Sequence, residues 1–146
     1  MAPNLSIYAI PVYWVMALFP HFLAVCTAAN VKWDASNPRG SNNQSTIQKS
    51  APKHVYARFE RAEAAHKNLL ESAPLFIGAV VVGNTAKLEA STLNNAVGAY
   101  LALRALYIAV YLNTTTGKYS FFRSATWATS IGVLFTILIK AGNKLY

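Results

Sequence analysis

Arg104 stands in the middle of NNAVGAYLALRALYIAVYLN, a run that otherwise carries no charge. An arginine in mid-span costs about 2.5 to 3.5 kcal/mol on membrane-insertion scales, so it is expected to face the protein interior and to find a partner there. Glu71 is the expected partner, because ARFERAEAAHKNLLESAPLF (residues 57–76) sets Asn68 and Glu71 where a charged helix surface gives way to an apolar run. At about 100° per residue, Arg61, Asn68 and Glu71 share one helix face, with the small Ala64 and Ala65 between them. Tyr107 and Tyr111 fall on the face of Arg104, and Arg123 with Ser124 opens the last apolar segment in FFRSATW. Brought together, Asn68, Glu71, Arg104, Tyr107, Tyr111, Arg123 and Ser124 would make a polar cavity suited to an anionic ligand. Blander readings compete with that one: a structural Glu71–Arg104 salt bridge, a ladder of weak surface pairs through Glu63, Lys67 and Glu71, and an interfacial anchor for Arg123 and Trp127.

The elements that must position these residues are four apolar segments, each near the roughly 17 to 25 residues a helix needs to cross a bilayer. They are expected over about 5–29, 56–82, 92–112 and 122–140, with a polar loop at 30–55. The fold class implied is an all-α integral membrane protein, a four-transmembrane-helix bundle in one domain of 146 residues. Pro11, Pro20 and Pro74 are expected to bend the helices that contain them. A cleaved signal peptide fits the first segment poorly, since that segment is long and no Lys or Arg precedes it.

Composition supports a membrane setting: 54% of residues are hydrophobic and 12% charged, about half the charge of a soluble domain. The net charge of +8 fits basic loops at a membrane surface better than nucleic acid, because no basic stripe is interleaved with aromatics. Lys32, Arg39, Lys49, Lys53 and Arg58, with Lys118 and Arg123, place the first and third loops in the cytoplasm, against the opposing bias of Lys140 and Lys144. In that topology only the sequon at Asn4, and not those at Asn43 and Asn113, would face the lumen. Cys26 is the single cysteine, so no intrachain disulfide forms, and its apolar surroundings predict packing. No zinc-ligand spacing, phosphate loop or nucleophile elbow is present.

RAEAAHKNLLESAPLF, RALYIAVY and RSATW together resemble the membrane-associated proteins in eicosanoid and glutathione metabolism, the MAPEG family, across nearly the whole chain. KWDASNPRG is similar to the Asn-Pro loop of the family's microbial branch. The resemblance implies a homotrimer, in the endoplasmic reticulum membrane if the source is eukaryotic, with glutathione bound between subunits near the cytoplasmic side. Carried over by position, Lys67, Asn68, Glu71, Arg104, Tyr107 and Tyr111 would hold glutathione. Arg123, with Ser124 beside it, would keep the thiol as thiolate. Ala64, Lys67, Tyr107 and Trp127 depart from the eicosanoid enzymes, which carry two arginines, a histidine and a tyrosine there. Gly40 replaces a loop aspartate, so prostaglandin chemistry is not expected.

The expected function is that of a membrane enzyme acting on a lipophilic substrate, as a glutathione-dependent transferase, peroxidase or isomerase. Arg123, Ser124, Tyr111 and Glu71 are its candidate catalytic residues, and no metal is expected. One alternative keeps the scaffold without the cofactor, as an isomerase or cyclase using Glu71, Tyr107, Tyr111 or His66. A second is a non-enzymatic membrane scaffold.

Overall fold

The structure, a computed structural model, describes residues 3–28, 34, 36–37, 40–117 and 120–145. A 3-10 turn, Ser6–Tyr8, leads into α1 (Ala9–Ala28), and α2 (Ser41–Ser50), α3 (Lys53–Thr85), α4 (Ala90–Asn113) and α5 (Ser120–Leu145) follow. Three of the described helical stretches are long and apolar enough to span a bilayer: Ser6–Ala28, Ala90–Asn113 and Ser120–Leu145. The expectation of four spans is therefore met in three by length and composition. The remaining long helix, α3, begins in water-loving sequence from Lys53 to Glu71 and turns uncharged only from Ser72 onward.

α1 buries Ala9, Tyr13, Ala17, Pro20, Ala24 and Ala28, a stripe of mostly small side chains at helical spacing. It packs against the matching stripe of α3, which includes Ala62, Ala65, Leu69, Ala73 and Phe76. Small residues let two backbones approach closely, the usual basis of helix association in lipid. The opposite face of α1 exposes Val12, Trp14, Val15, Leu18, Phe19 and Phe22, as a lipid-facing surface requires. Cys26 is exposed as well, which corrects the expectation that it packs inside.

Where α1, α3 and α4 meet, Phe76 stacks on Tyr100 at 4.7 Å and Tyr13 lies 4.8 Å from Phe76. The buried Tyr13 hydroxyl donates to the Leu69 carbonyl at 2.6 Å. That carbonyl lies one turn before Pro74, in the part of α3 where the proline ring removes a backbone donor and crowds the preceding turn. Pro11 sits in the first turn of α1, where proline is tolerated, and only Pro20 lies inside that helix.

Residues 41–50 correct the loop expected over 30–55, because they form α2. Its single strongly apolar residue, Ile47, is fully buried with Ala24, Ala28, Phe59 and Ala62. Asn43 is buried too, donating to the Asp34 and Asn37 carbonyls at 2.9 Å each and accepting from the Asp34 amide at 2.8 Å. Much of KWDASNPRG, together with Lys32, Arg39 and Lys118 of the charge-bias argument, lies outside the described residues.

At the other end of the bundle an amide clamp holds the N-terminal segment. Asn94 accepts from the Leu5 amide and donates to the Pro3 carbonyl, both at 2.8 Å, and Asn4 donates to Asn84 at 2.7 Å. α3 ends through Lys87 at a φ of 53°, with the Leu88 amide returning to the Gly83 carbonyl at 3.1 Å. Lys144 donates to the Lys87 carbonyl and ties α5 to this turn.

Candidate functional site

Arg104 has no solvent exposure. Its Nη2 donates to Asn68 Oδ1 at 2.9 Å, to Ser72 Oγ at 3.0 Å and to the Asn68 carbonyl at 3.2 Å. Nε and Nη1 are buried without a hydrogen-bond partner. The expected Glu71–Arg104 salt bridge is not formed: Glu71 is exposed, and the one ion pair among the described residues joins His21 to Glu63. Neutral dipoles of α3 hold the guanidinium instead. Ser72 is aimed at it by donating its own hydroxyl hydrogen to the Asn68 carbonyl one turn earlier, at 2.9 Å.

From Arg104 a ladder of cations and rings runs along α4 to α5. The Arg104 guanidinium lies 4.8 Å from the Tyr107 ring centre. Tyr107 meets Tyr111 edge to face at 5.5 Å, and the Arg123 guanidinium lies 4.5 Å from the Tyr111 ring. The i, i+3 and i, i+7 spacing on α4 sets the first three on one face, and α5 supplies Arg123 from its first turn. Each cation over a ring contributes about 0.5 to 2 kcal/mol, more where water is excluded.

Tyr111 and Arg123 open into a cavity of about 470 Å³ that also receives Arg61 and Glu60 from α3 and the turn at 114–117. Arg61 is steadied by donating from Nε to the Leu112 carbonyl at 3.2 Å. Among the described residues no carboxylate forms an ion pair with Arg61, Arg104 or Arg123. The cavity therefore holds surplus positive charge from Arg61 and Arg123, an arrangement suited to an anion, while the two orphaned Arg104 donors lie buried outside its lining.

Asn68, Arg104, Tyr107, Tyr111 and Arg123 of the expected site are thus brought into one connected array. Three expected members are not. Glu71 faces outward, Ser124 is exposed and donates to the Ser120 carbonyl at 3.4 Å, and Lys67 lines a different cavity, toward α1 and α2. For Lys67 and Ser124 the position follows from helix phase: Lys67 is one residue, about 100°, from Asn68, and Ser124 is one residue from Arg123. Arg61 and Ser72 are the members that sequence reasoning did not place in the site. Ser72 was one turn after Asn68, and Arg61 was already on its face.

These features define an all-helical integral membrane protein with a buried arginine and an anion-suited polar cavity among its helices. The chain belongs to the MAPEG family, whose sequence pattern it matches over residues 9–143. Membership is the basis for a membrane glutathione-related transferase or isomerase kind of function. Neither a curated relative nor a solved structure matches the chain.

Proposed function

We propose that the protein is a glutathione-dependent membrane enzyme, a transferase, peroxidase or isomerase, whose second substrate is lipophilic and arrives through the bilayer. The observation that carries the reading is the unneutralised array from Arg104 to Arg123, with Nε and Nη1 of Arg104 buried and unpartnered. A peptide carboxylate matches such donors in charge and geometry. Asn68, Arg104, Tyr107 and Tyr111 would hold the tripeptide, with Lys67 and Glu71 free to reach it only from outside the array.

Glutathione would supply a thiol whose anion is the nucleophile. A free thiol has a pKa of about 8.5, and a nearby cation lowers it. Arg123 would supply that cation: it is half-buried at the cavity and held against the Tyr111 ring. The exposed Glu71 and Ser124 fit better as residues at a subunit boundary than as members of one subunit's site. That placement supports a homotrimer with the site completed between neighbours, and the Lys and Arg bias of the loops supports a site toward the cytoplasm.

Purified protein in detergent should bind glutathione and develop the ultraviolet absorbance of a thiolate. Arg123→Ala should abolish the thiolate band. A folded, trimeric sample that binds no glutathione would overturn the proposal.

A further inference from the structure

α3 borders a second cavity, of about 460 Å³, toward α1 and α2. Glu60 and Ala64 border both cavities, so the two lie beside each other across one stretch of helix. This second space holds a concentration of acid–base groups that the anion-suited array does not use. His21 of α1 places Nδ1 2.6 Å from Glu63 Oε1. A carboxylate can only accept, so Nδ1 carries the hydrogen, and in the neutral form of the ring the lone pair lies on Nε2. His66 places Nδ1 2.7 Å from the Ala17 carbonyl, which also only accepts, and so has the same tautomer.

The two rings lie 5.0 Å apart and both line the cavity. Lys67 shares that lining, and Phe59 and Leu70 supply apolar wall. Among the described residues no three His, Cys, Asp or Glu side chains are grouped as ligands for one metal ion. An imidazole fixed by a carboxylate through one nitrogen, with the other left basic, is the arrangement a general base requires. His21 and Glu63 are 29% and 22% exposed, so the pair is reachable from the cavity and is not sealed in the core.

We propose that this cavity is a proton-transfer centre for a lipophilic, enolisable carbonyl compound, with His21 as the base and Glu63 as its positioning residue. The apolar wall takes the hydrocarbon. His21 Nε2 removes a proton from the carbon beside the carbonyl; that C–H bond breaks and its electron pair moves through the new double bond onto oxygen. The Lys67 ammonium faces the enolate charge, and the Glu63 carboxylate faces the charge developing on the imidazole ring. The Nε2 proton exchanges with water in the partly exposed cavity, and its delivery to the distal carbon of the dienolate shifts the double bond into conjugation and restores the neutral base. No oxidant, reductant or thiol takes part. The centre therefore operates whether or not glutathione binds at the other cavity.

The test uses the full chain in detergent micelles without glutathione, and a cyclic β,γ-unsaturated ketone as probe. Conjugation of the product is read by ultraviolet absorbance, and deuterium uptake in heavy water by mass spectrometry. The expected rate is at least about a hundredfold above empty micelles, the low end of the range for one positioned base. His21→Gln should fall to background, and His54→Gln, altering an exposed histidine at the start of α3, should match the parent. Glu63→Gln should lose about tenfold or more while the His21 nitrogen-15 spectrum moves away from a single Nδ1–H tautomer. A background rate from parent protein with intact helix content overturns the proposal, as does an undiminished rate in His21→Gln. An undiminished rate in Glu63→Gln, with the tautomer unchanged, overturns the positioning role and leaves the pair as a tie between α1 and α3.

Discussion

Arg104→Met removes the buried cation while keeping a side chain of similar length between Tyr100 and Tyr107. In the parent, two short hydrogen bonds from Nη2, to Asn68 Oδ1 and Ser72 Oγ, contribute about 1.5 to 3 kcal/mol each as bonds to a charged group. The contact with Tyr107 adds about 0.5 to 2 kcal/mol. Against these stand Nε and Nη1, buried and unpartnered, at about 1 to 3 kcal/mol each, together with the desolvation of the charge itself. The terms nearly cancel, so the methionine variant should lie within about 2 kcal/mol of the parent in the absence of ligand, as replaced buried ions often do. With glutathione at a hundred times its dissociation constant, the parent should gain about 2.7 kcal/mol by mass action, and the variant should gain almost nothing. Thermal unfolding in detergent, followed by tryptophan fluorescence with and without glutathione, measures both quantities. A ligand-free loss above about 4 kcal/mol would refute the reasoning, because Arg104 would then be a structural cation whose free nitrogens are paired in the assembled protein. A variant that still gains the full ligand shift would refute its role in binding.

Two further perturbations address the scaffold. Tyr13→Phe deletes the buried hydroxyl bond to the Leu69 carbonyl, and unfolding should show a loss of about 1 to 3 kcal/mol; an unchanged melting temperature would mean that water replaces the hydroxyl. Gly83→Ala places a methyl group 2.7 Å from Leu93 Cδ2 and 2.9 Å from Ile137 Cγ2, and should cost about 1 to 3 kcal/mol by overpacking. Gly98→Ala has open space around the new methyl group and should be neutral or slightly stabilising. If Gly98→Ala instead weakens assembly by sedimentation, that face of α4 is a contact between subunits.

The apolar helices α1, α4 and α5 were legible because long uncharged runs have few other uses. α2 was not, because it is almost wholly polar, and the Asn and Ser that make up half of it are middling to poor helix formers. What holds it is tertiary: Ile47 under α1 and α3, and Asn43 gathering three backbone groups from residues 34 to 37. Arg104 was legible as an anomaly but its partner was misassigned, since sequence reasoning matched charge with charge. The carbonyl of Asn68 and the hydroxyl of Ser72 carry no formal charge and so gave no signal. His21 is the one histidine of the first apolar segment, yet nothing local indicated that Glu63, 42 residues later, would meet it.

α3 runs for 33 residues, about 50 Å at 1.5 Å per residue, against a hydrocarbon core of about 30 Å. A crossing by α3 would leave roughly two-fifths of it clear of the lipid, and its charged beginning, with Glu60 bordering both cavities, would belong to that overhang. A water-soluble reactant would meet the protein there by diffusion in three dimensions, whereas a lipophilic one would travel in two, within the leaflet. For the second reactant the governing quantity is mole fraction in the bilayer. Adding inert lipid or detergent would then slow turnover at constant bulk concentration, as simple surface dilution.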